Sequence, residues 1–171
     1  MLNLKLKIRE IPNFPKQGVS FKDITPLLEE SKYFKFVIDL FYKEFKKVRP
    51  KKIIAIDARG FLFASALSYN LNAGLVIARK KGKLPCKTIT CDYDLEYGKE
   101  VLEIHKDSIK KGERVLIIDD VLATGGTAWA ACRLAEKLKA KIVGIGFLIE
   151  LKFLSGREKL KKHNVFSLVE Y

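Results

Sequence analysis

The stretch Val115-Leu116-Ile117-Ile118-Asp119-Asp120-Val121-Leu122-Ala123-Thr124-Gly125-Gly126-Thr127-Ala128 decides the fold. Its opening apolar run, 115–118, has the continuous pattern of a strand buried on both faces, which is the mark of a parallel sheet. Two adjacent carboxylates leave the end of that strand. Five small residues follow and open directly into a helical pattern over 127–139, with Ala128, Ala131, Leu134, Ala135 and Leu138 on one side. Strand, glycine turn and helix in that order form the first half of a βαβ unit.

The same rhythm repeats outward. Apolar runs at 53–56, 75–78, 142–147 and 165–169 predict further strands, and 61–71 predicts a helix between the first two. Upstream, Phe34, Val37, Ile38, Phe41, Phe45 and Val48 recur at three- and four-residue steps, so a helix opens at Ser31 and Pro50 closes it. Thr25 before Pro26 reads as an N-cap and first helical position. Residues 86–91 and 100–105 alternate and predict an antiparallel excursion. The expected fold is α/β, with a central, mostly parallel twisted sheet flanked by helices. Ligands of such sheets sit outside the carboxyl ends of the strands, which points to the loops after Ile56, Ala78, Ile118 and Phe147.

Composition bounds the reading. At 171 residues the chain is expected to be one domain, 1–171, with no linker or internal repeat. A 48% hydrophobic content excludes a disordered or collagenous chain. No run approaches the roughly 18 apolar residues of a membrane span. The first ten residues alternate apolar and cationic side chains, unlike a signal peptide. Three cysteines, Cys86, Cys91 and Cys132, form no Cys-x-x-Cys pair, and His105 and His163 are the only histidines, so a zinc site is not expected. A cytoplasmic protein follows as the expectation. The net charge of +13 favours anionic partners. The cluster Lys46-Lys47-Val48-Arg49-Pro50-Lys51-Lys52 and residues 157–162 read as solvated basic faces.

The glycine loop carries chemistry. Glycines let backbone N–H groups approach an anion, Thr124 and Thr127 add hydroxyls, and the helix start adds partial positive charge. Together these make a phosphate cradle, although neither a Walker loop nor a Gly-x-Gly-x-x-Gly motif occurs. Asp119 and Asp120 repel phosphate, so they need another task. Accepting hydrogen bonds from a pair of sugar hydroxyls is one, and holding Mg²⁺ is another. Either describes a pocket for a ribose 5-phosphate.

This segment resembles the phosphoribosyl-diphosphate signature of the type I phosphoribosyltransferases. The likeness extends further. Ile11-Pro12-Asn13-Phe14-Pro15, with Gly18-Val19-Ser20-Phe21-Lys22-Asp23 and Ile24-Thr25-Pro26-Leu27-Leu28, is similar to the base-binding amino-terminal region (1–30) of the adenine branch. Asp57-Ala58-Arg59-Gly60-Phe61-Leu62-Phe63 is similar to that branch's diphosphate loop. Arg79-Lys80-Lys81-Gly82-Lys83-Leu84-Pro85 and Tyr93-Asp94-Leu95-Glu96-Tyr97-Gly98 resemble its flexible antiparallel hood, 79–105. Phe147-Leu148-Ile149-Glu150-Leu151 and Leu154-Ser155-Gly156-Arg157 resemble its carboxy-terminal part.

The resemblance implies transfer of a phosphoribosyl group to adenine, with Mg²⁺, giving AMP and diphosphate as in purine salvage. It implies that Asp119 and Asp120 hold the ribose hydroxyls and that Ala123, Thr124, Gly125, Gly126 and Thr127 bind the 5-phosphate. Ala58 and Arg59 would bind diphosphate, in a loop where the family often has a cis non-proline peptide. Arg59 is also a candidate catalytic residue. Arg79, Lys80 and Lys83 would add cations, some reaching a neighbouring subunit in a homodimer. Glu96 would be the catalytic acid/base and Tyr97 would pack on the closed site. Ser20, Phe21, Lys22 and Leu151 would bind adenine, the base lying between Phe21 and Leu151 with its edge read by main-chain groups. Mg²⁺ would be held mainly by substrate oxygens, with Asp119 and Asp120 as candidate ligands. Ser20 and Lys22 depart from the family's usual apolar residue and arginine.

Two alternatives remain. The first is a relative acting on another purine base or on orotate, which the amino-terminal and hood blocks disfavour. The second is a phosphoribosyl-diphosphate-sensing regulator that binds nucleic acid, a reading motivated by the charge. The hood glutamate and the lack of an appended DNA-binding motif weigh against nucleic acid as a partner, and no membrane is expected.

Overall fold

The structure, a computed structural model, describes residues 2–95 and 98–171, the side chain of Leu95 excepted. The chain divides into two compact units, Met1–Leu40 and Phe41–Tyr171. The first carries an antiparallel ribbon, β1 (Arg9–Pro12) paired with β2 (Ser20–Asp23), in which Ile11 faces Phe21. Arg9 closes the ribbon on Asp23 at 2.8 Å, and Phe14 packs edge-on to Phe21 with ring centroids 5.2 Å apart.

A short helix α1 (Thr25–Glu29) follows. Thr25 is not its cap, as the sequence suggests; it is the first helical residue. The carboxylate of Asp23 accepts both the Thr25 N–H, at 2.9 Å, and its hydroxyl, at 2.6 Å. The acid two residues upstream takes the orphan donors because it reaches both at once. Helix α2 (Ser31–Phe45) begins here, and a 3₁₀ turn at Lys46–Val48 continues it before Pro50.

The second unit is built on seven strands: β3 (Lys52–Ile56), β4 (Gly74–Lys80), β5 (Thr88–Leu95), β6 (Gly98–His105), β7 (Arg114–Leu122), β8 (Lys141–Glu150) and β9 (Val165–Glu170). They lie in the order β5-β6-β4-β3-β7-β8-β9. Pairs β3–β4, β3–β7, β7–β8 and β8–β9 are parallel, while β4–β6 and β5–β6 are antiparallel. Helix α3 (Gly60–Leu71) carries the chain from β3 to β4, and α4 (Gly126–Lys137) carries it from β7 to β8. From β3 the chain winds to one side and from β7 to the other, so the boundary between them is the switch point of the sheet, where a crevice opens.

Both faces of the sheet are covered. Ile54, Ile56, Val76 and Ile117 pack with Ala131, Leu134 and Ala135 of α4. An aromatic cluster lies elsewhere in the unit: Phe41 packs on Phe63 with centroids 6.4 Å apart, and Phe45 on Phe166 at 5.9 Å. Continuous burial of 53–56 and 115–118 is what the apolar runs predict for parallel strands. Strand β4 shares its length between two neighbours. Residues 74–78 pair with β3, and only Arg79 and Lys80 pair with β6, opposite Glu103 and Leu102.

Candidate active site

At the carboxyl ends of β3 and β7 lies a cavity of about 260 Å³, lined by Asp57, Ala58, Arg59, Lys80, Tyr93, Glu100, Asp119, Asp120 and Thr127 among others. The switch point therefore places two of the four loops that the sequence points to, those after Ile56 and Ile118, side by side.

After β3, the Asp57–Ala58 peptide is cis. The Asp57 N–H donates to the Ala78 carbonyl at 2.9 Å, which ties the loop to β4. Helix α3 starts at Gly60, and a side chain there has no room: a Cβ would lie 2.9 Å from Asp119 Oδ1 and 3.0 Å from the Ile118 carbonyl. Glycine at this point lets the loop sit directly on the end of β7. That contact brings Arg59 Nε to 2.7 Å from Asp120 Oδ2.

The two aspartates lie within β7 rather than in the loop beyond it, because the strand runs on to Leu122. Asp119 pairs with Phe147 of β8, and its Oδ1 accepts the Asp120 N–H at 2.8 Å. Burial pushes the Asp119 carboxyl well above the usual carboxylate range, and the neighbouring Asp120 charge adds to this. Burial also raises Asp120, with the Arg59 guanidinium pulling the other way. Despite that close cation, the buried Asp120 Oδ2 has no hydrogen-bond donor aligned with it among the described residues. A buried acceptor in that state is costly unless a further donor or cation reaches it.

Beyond β7, Ala123, Thr124 and Gly125 lead into α4. Gly125 takes the left-handed conformation, φ 77°, and its carbonyl accepts the Trp129 N–H at 2.9 Å. The hood lies over the start of this helix: a Cβ on Gly126 would be 2.6 Å from the Asp94 carbonyl. Burial raises the Tyr93 pKa, with the Thr127 side chain beside it pulling the other way.

The cations are all engaged with acids. Arg79 Nε donates to Asp57 at 3.1 Å, Lys83 Nζ lies 4.0 Å from the same oxygen, and Lys80 Nζ donates to Glu100 at 2.9 Å. The hydrogen bond from Glu100 holds the Lys80 ammonium above its ordinary pKa. Glu103, buried, brackets the turn between β4 and β5. It accepts the N–H groups of Lys83 and Leu84, each at 3.1 Å, and the Thr88 hydroxyl at 3.2 Å.

The structure thus gathers Ala58, Arg59, Lys80, Asp119, Asp120 and Thr127 around one cavity and sets Arg79 and Lys83 on its Asp57 wall. Ser20, Phe21 and Lys22 lie on β2 of the first unit. There the Lys22 side chain is buried and its ammonium is 2.7 Å from Glu10, which leaves backbone groups to speak for that strand. Leu151 follows β8, its N–H donating to the Leu122 carbonyl at 2.9 Å. Glu96 and Tyr97 lie outside the described residues.

Sequence reasoning passed over Tyr93, Glu100, Glu103 and Gly156 as individual contributors. Tyr93 and Gly156 stand in the sequence only within the blocks that resemble the family's hood and carboxy-terminal part. Period-two alternation along 88–95 and 98–105 puts Tyr93, Glu100 and Glu103 on definite faces, but cannot say which face the cavity takes. Nothing local marks Gly156, whose contact with the glycine loop spans some thirty residues of chain.

No group of three or more metal-binding side chains occurs among the described residues. The donors at the cavity are the Asp119 and Asp120 carboxylates, the latter with its orphaned oxygen. Two carboxylates suit a hard cation that takes the rest of its oxygens from a ligand and water.

Residues 24–170 match the phosphoribosyl transferase domain family. An adenine phosphoribosyltransferase of Clostridium tetani is 53% identical over 170 residues, 99% of each chain, and one of Clostridium botulinum is 51% identical over the same span. Among solved structures, the adenine phosphoribosyltransferase of Thermoanaerobacter pseudethanolicus superposes with a TM-score of 0.96 at 48% identity, covering 98% of each chain. The Saccharomyces cerevisiae enzyme, complexed with an imino-altritol bisphosphate and adenine, gives 0.91 at 41% identity over 96% of each.

Proposed function

The chain belongs to the phosphoribosyl transferase family, among its adenine phosphoribosyltransferases, and from that premise we propose how its own residues carry the reaction. It joins adenine to 5-phosphoribosyl 1-diphosphate, giving AMP and diphosphate. The observation that supports the residue assignment best is the meeting of Arg59 with Asp120 at the switch point, because it sets an anion-binding loop against a hydroxyl-binding carboxylate pair.

A purine ring nitrogen attacks carbon 1 of the ribose, and the bond from that carbon to the diphosphate oxygen breaks with its electron pair leaving on diphosphate. Positive charge builds on the sugar and negative charge on the leaving group, so charge stabilisation dominates catalysis. Asp119 and Asp120 accept hydrogen bonds from the two ribose hydroxyls and lie where they oppose the sugar's positive charge. The 5-phosphate takes the loop from Ala123 to Thr127 and the start of α4. The diphosphate takes the Ala58–Arg59 backbone and the cations Arg59, Arg79, Lys80 and Lys83. Each of those cations now rests on Asp120, Asp57 or Glu100, and exchanges that partner for substrate oxygens on binding. Asp119 and Asp120, together with substrate oxygens, would hold Mg²⁺, which would supply Lewis-acid neutralisation of the leaving diphosphate. Glu96 takes the purine proton. Backbone groups of Ser20 and Lys22 read the adenine edge, with Phe21 and Leu151 as apolar contacts.

We assign a homodimer and a cytoplasmic setting to the enzyme. Exposed apolar side chains on and after α3 (Leu62, Tyr69 and Leu75) support the former. Three free cysteines, Cys86 exposed among them, support the latter. Light scattering on a sizing column tests the dimer. Diphosphate release with adenine, hypoxanthine, guanine and orotate tests the reaction, and turnover confined to adenine is the expected result. Release with orotate or guanine alone would overturn the base assignment.

A further inference from the structure

The second large concavity lies at the other end of the sheet. It measures about 460 Å³ and is lined by Tyr42, Lys46, Arg49, Lys51, Asn70 and Asn72, with Pro50 and Leu71 completing the wall. Strand β3 separates it from the catalytic cavity, since Lys52 starts the strand here and Ile56 ends it there. Five residues at about 3.3 Å each put roughly 16 Å between the two.

Charge sets this pocket apart. The cations of the catalytic cavity are each engaged with a carboxylate. Lys46, Lys47, Arg49, Lys51 and Lys52 have no carboxylate in ion-pair reach among the described residues, and none lines the pocket. Lys46 and Lys47 do complement the carboxyl end of α2. Arg49, Lys51 and Lys52 lie beyond that helix end, so the helix dipole does not account for them.

The walls are held by main chain. Arg114 Nε donates to the Val48 carbonyl at 2.9 Å, the Lys51 N–H donates to the Arg114 carbonyl at 2.8 Å, and the Gly74 N–H donates to Lys51 at 2.9 Å. Arg49 and Asn72 both sit in the left-handed region, φ 42° and 51°, with their N–H groups capping the turns before them. Lys46 Nζ lies 5.7 Å from the Tyr42 ring centroid. Exposed cations without acidic partners, an aromatic ring and two side-chain amides around a concavity of a few hundred Å³ have the make-up of a site open to an anionic small molecule.

We propose that this pocket is a second, non-catalytic ligand site that takes a nucleoside polyphosphate. Lys46, Arg49 and Lys51 meet the phosphate chain. Tyr42, Pro50 and Leu71 offer the base an apolar wall, and Asn70 and Asn72 supply amide donors and acceptors for its edge. The volume matches one nucleotide, and three cations match a chain of two or three phosphates.

Calorimetry on the whole protein with AMP and diphosphate together at saturation, which fill both subsites of the catalytic cavity, tests this. ATP, GTP and inorganic triphosphate serve as probes. The expected result is one ATP or GTP bound per chain with AMP still in place, and inorganic triphosphate at least tenfold weaker. The triple variant Lys46→Gln, Arg49→Asn, Lys51→Gln should lose at least tenfold in affinity while AMP formation is unchanged; asparagine suits the left-handed position. Lys51→Gln alone, should the triple fail to fold, should weaken binding severalfold. An absence of binding beyond AMP, or equal affinity in these variants, would overturn the site. Triphosphate binding as tightly as ATP would overturn the nucleoside part.

Discussion

Gly125 and Gly156 touch backbone to backbone. A Cβ on Gly125 would lie 2.4 Å from the Gly156 carbonyl, and a Cβ on Gly156 would lie 2.1 Å from the Ala123 carbonyl. The glycine loop 123–127 is therefore seated on the 3₁₀ turn Gly156–Leu160, and its shape depends on a residue distant in sequence. Gly156→Ala should push the loop off this seat. The expected outcome is a rise of at least tenfold in KM for the sugar-phosphate donor and a stability loss of about 1–3 kcal/mol, the usual range for overpacking against backbone. Steady-state kinetics and thermal melts check both, and an unchanged KM would mean that the loop keeps its form unaided.

Asp119 and Asp120 work against the fold they serve. Both carboxyls are raised in pKa, Asp119 the more, chiefly by burial. An acid whose folded pKa lies above its unfolded value costs stability as pH climbs past the unfolded value. Asp119→Asn should therefore raise the melting temperature at pH 7, by about 2–4 °C per kcal/mol for a chain of this size. The gain should vanish below about pH 4, where the unfolded carboxyl is protonated too. The same change should weaken the donor complex in calorimetry with Mg²⁺ present, more so with Asp120→Asn added. Unaltered donor binding in the double variant would remove the ribose assignment.

Glu150 has the opposite sign. Buried beside Arg157, it accepts Nε at 2.9 Å and the Ser167 hydroxyl at 2.7 Å, and the guanidinium holds its carboxyl below the usual range. Its contribution is complete above the unfolded glutamate value and is lost as pH falls through the lower folded value. Melting temperature should fall between about pH 4.5 and pH 3 more steeply in the parent than in Glu150→Gln. Parallel curves would show that the pair is not a source of acid lability.

Glu103 holds three donors of the hood turn. Glu103→Ala removes their common acceptor, at about 0.5–1.5 kcal/mol for each hydrogen bond lost. The variant should show faster amide exchange at Lys83 and Leu84 and a raised KM for the donor, with circular dichroism intact. Native exchange rates at those two amides would rule the bracket out.

For Glu96, the expected effect of Glu96→Gln is a large fall in kcat with donor affinity nearly unchanged. Equal losses in both would move this side chain from proton transfer to binding.

The strand alternation and the two loops at the switch point were readable because parallel strands need continuous apolar runs and a tight strand-to-helix turn needs glycine. What escaped is instructive. Asp119 and Asp120 were read as loop residues, yet β7 extends through them because Asp119 and Val121 still find register partners on β8. Thr25 became the first helical residue, with Ile24 at the cap position, because its own N–H and hydroxyl both turn back to the Asp23 carboxylate. Glu103 and Gly156 act across the fold, through contacts that no local pattern encodes. The 3₁₀ turns of 152–160 carry neither periodicity, so nothing in their spacing announced them.

The divided strand β4 has one more implication. Its first five residues are a beam of the parallel core, while Arg79 and Lys80 alone join it to β6, with the Lys81 N–H on Val101 as the next link. By main chain the hood is thus hung on a short pin, while Cys91, Tyr93, Leu102 and Ile104 anchor it in the core by their side chains. The pin residues are the same cations that latch onto Asp57 and Glu100. Hinge-pin and latch are therefore one piece of chain: the two residues that carry the hood's main chain also carry the cavity's positive charge.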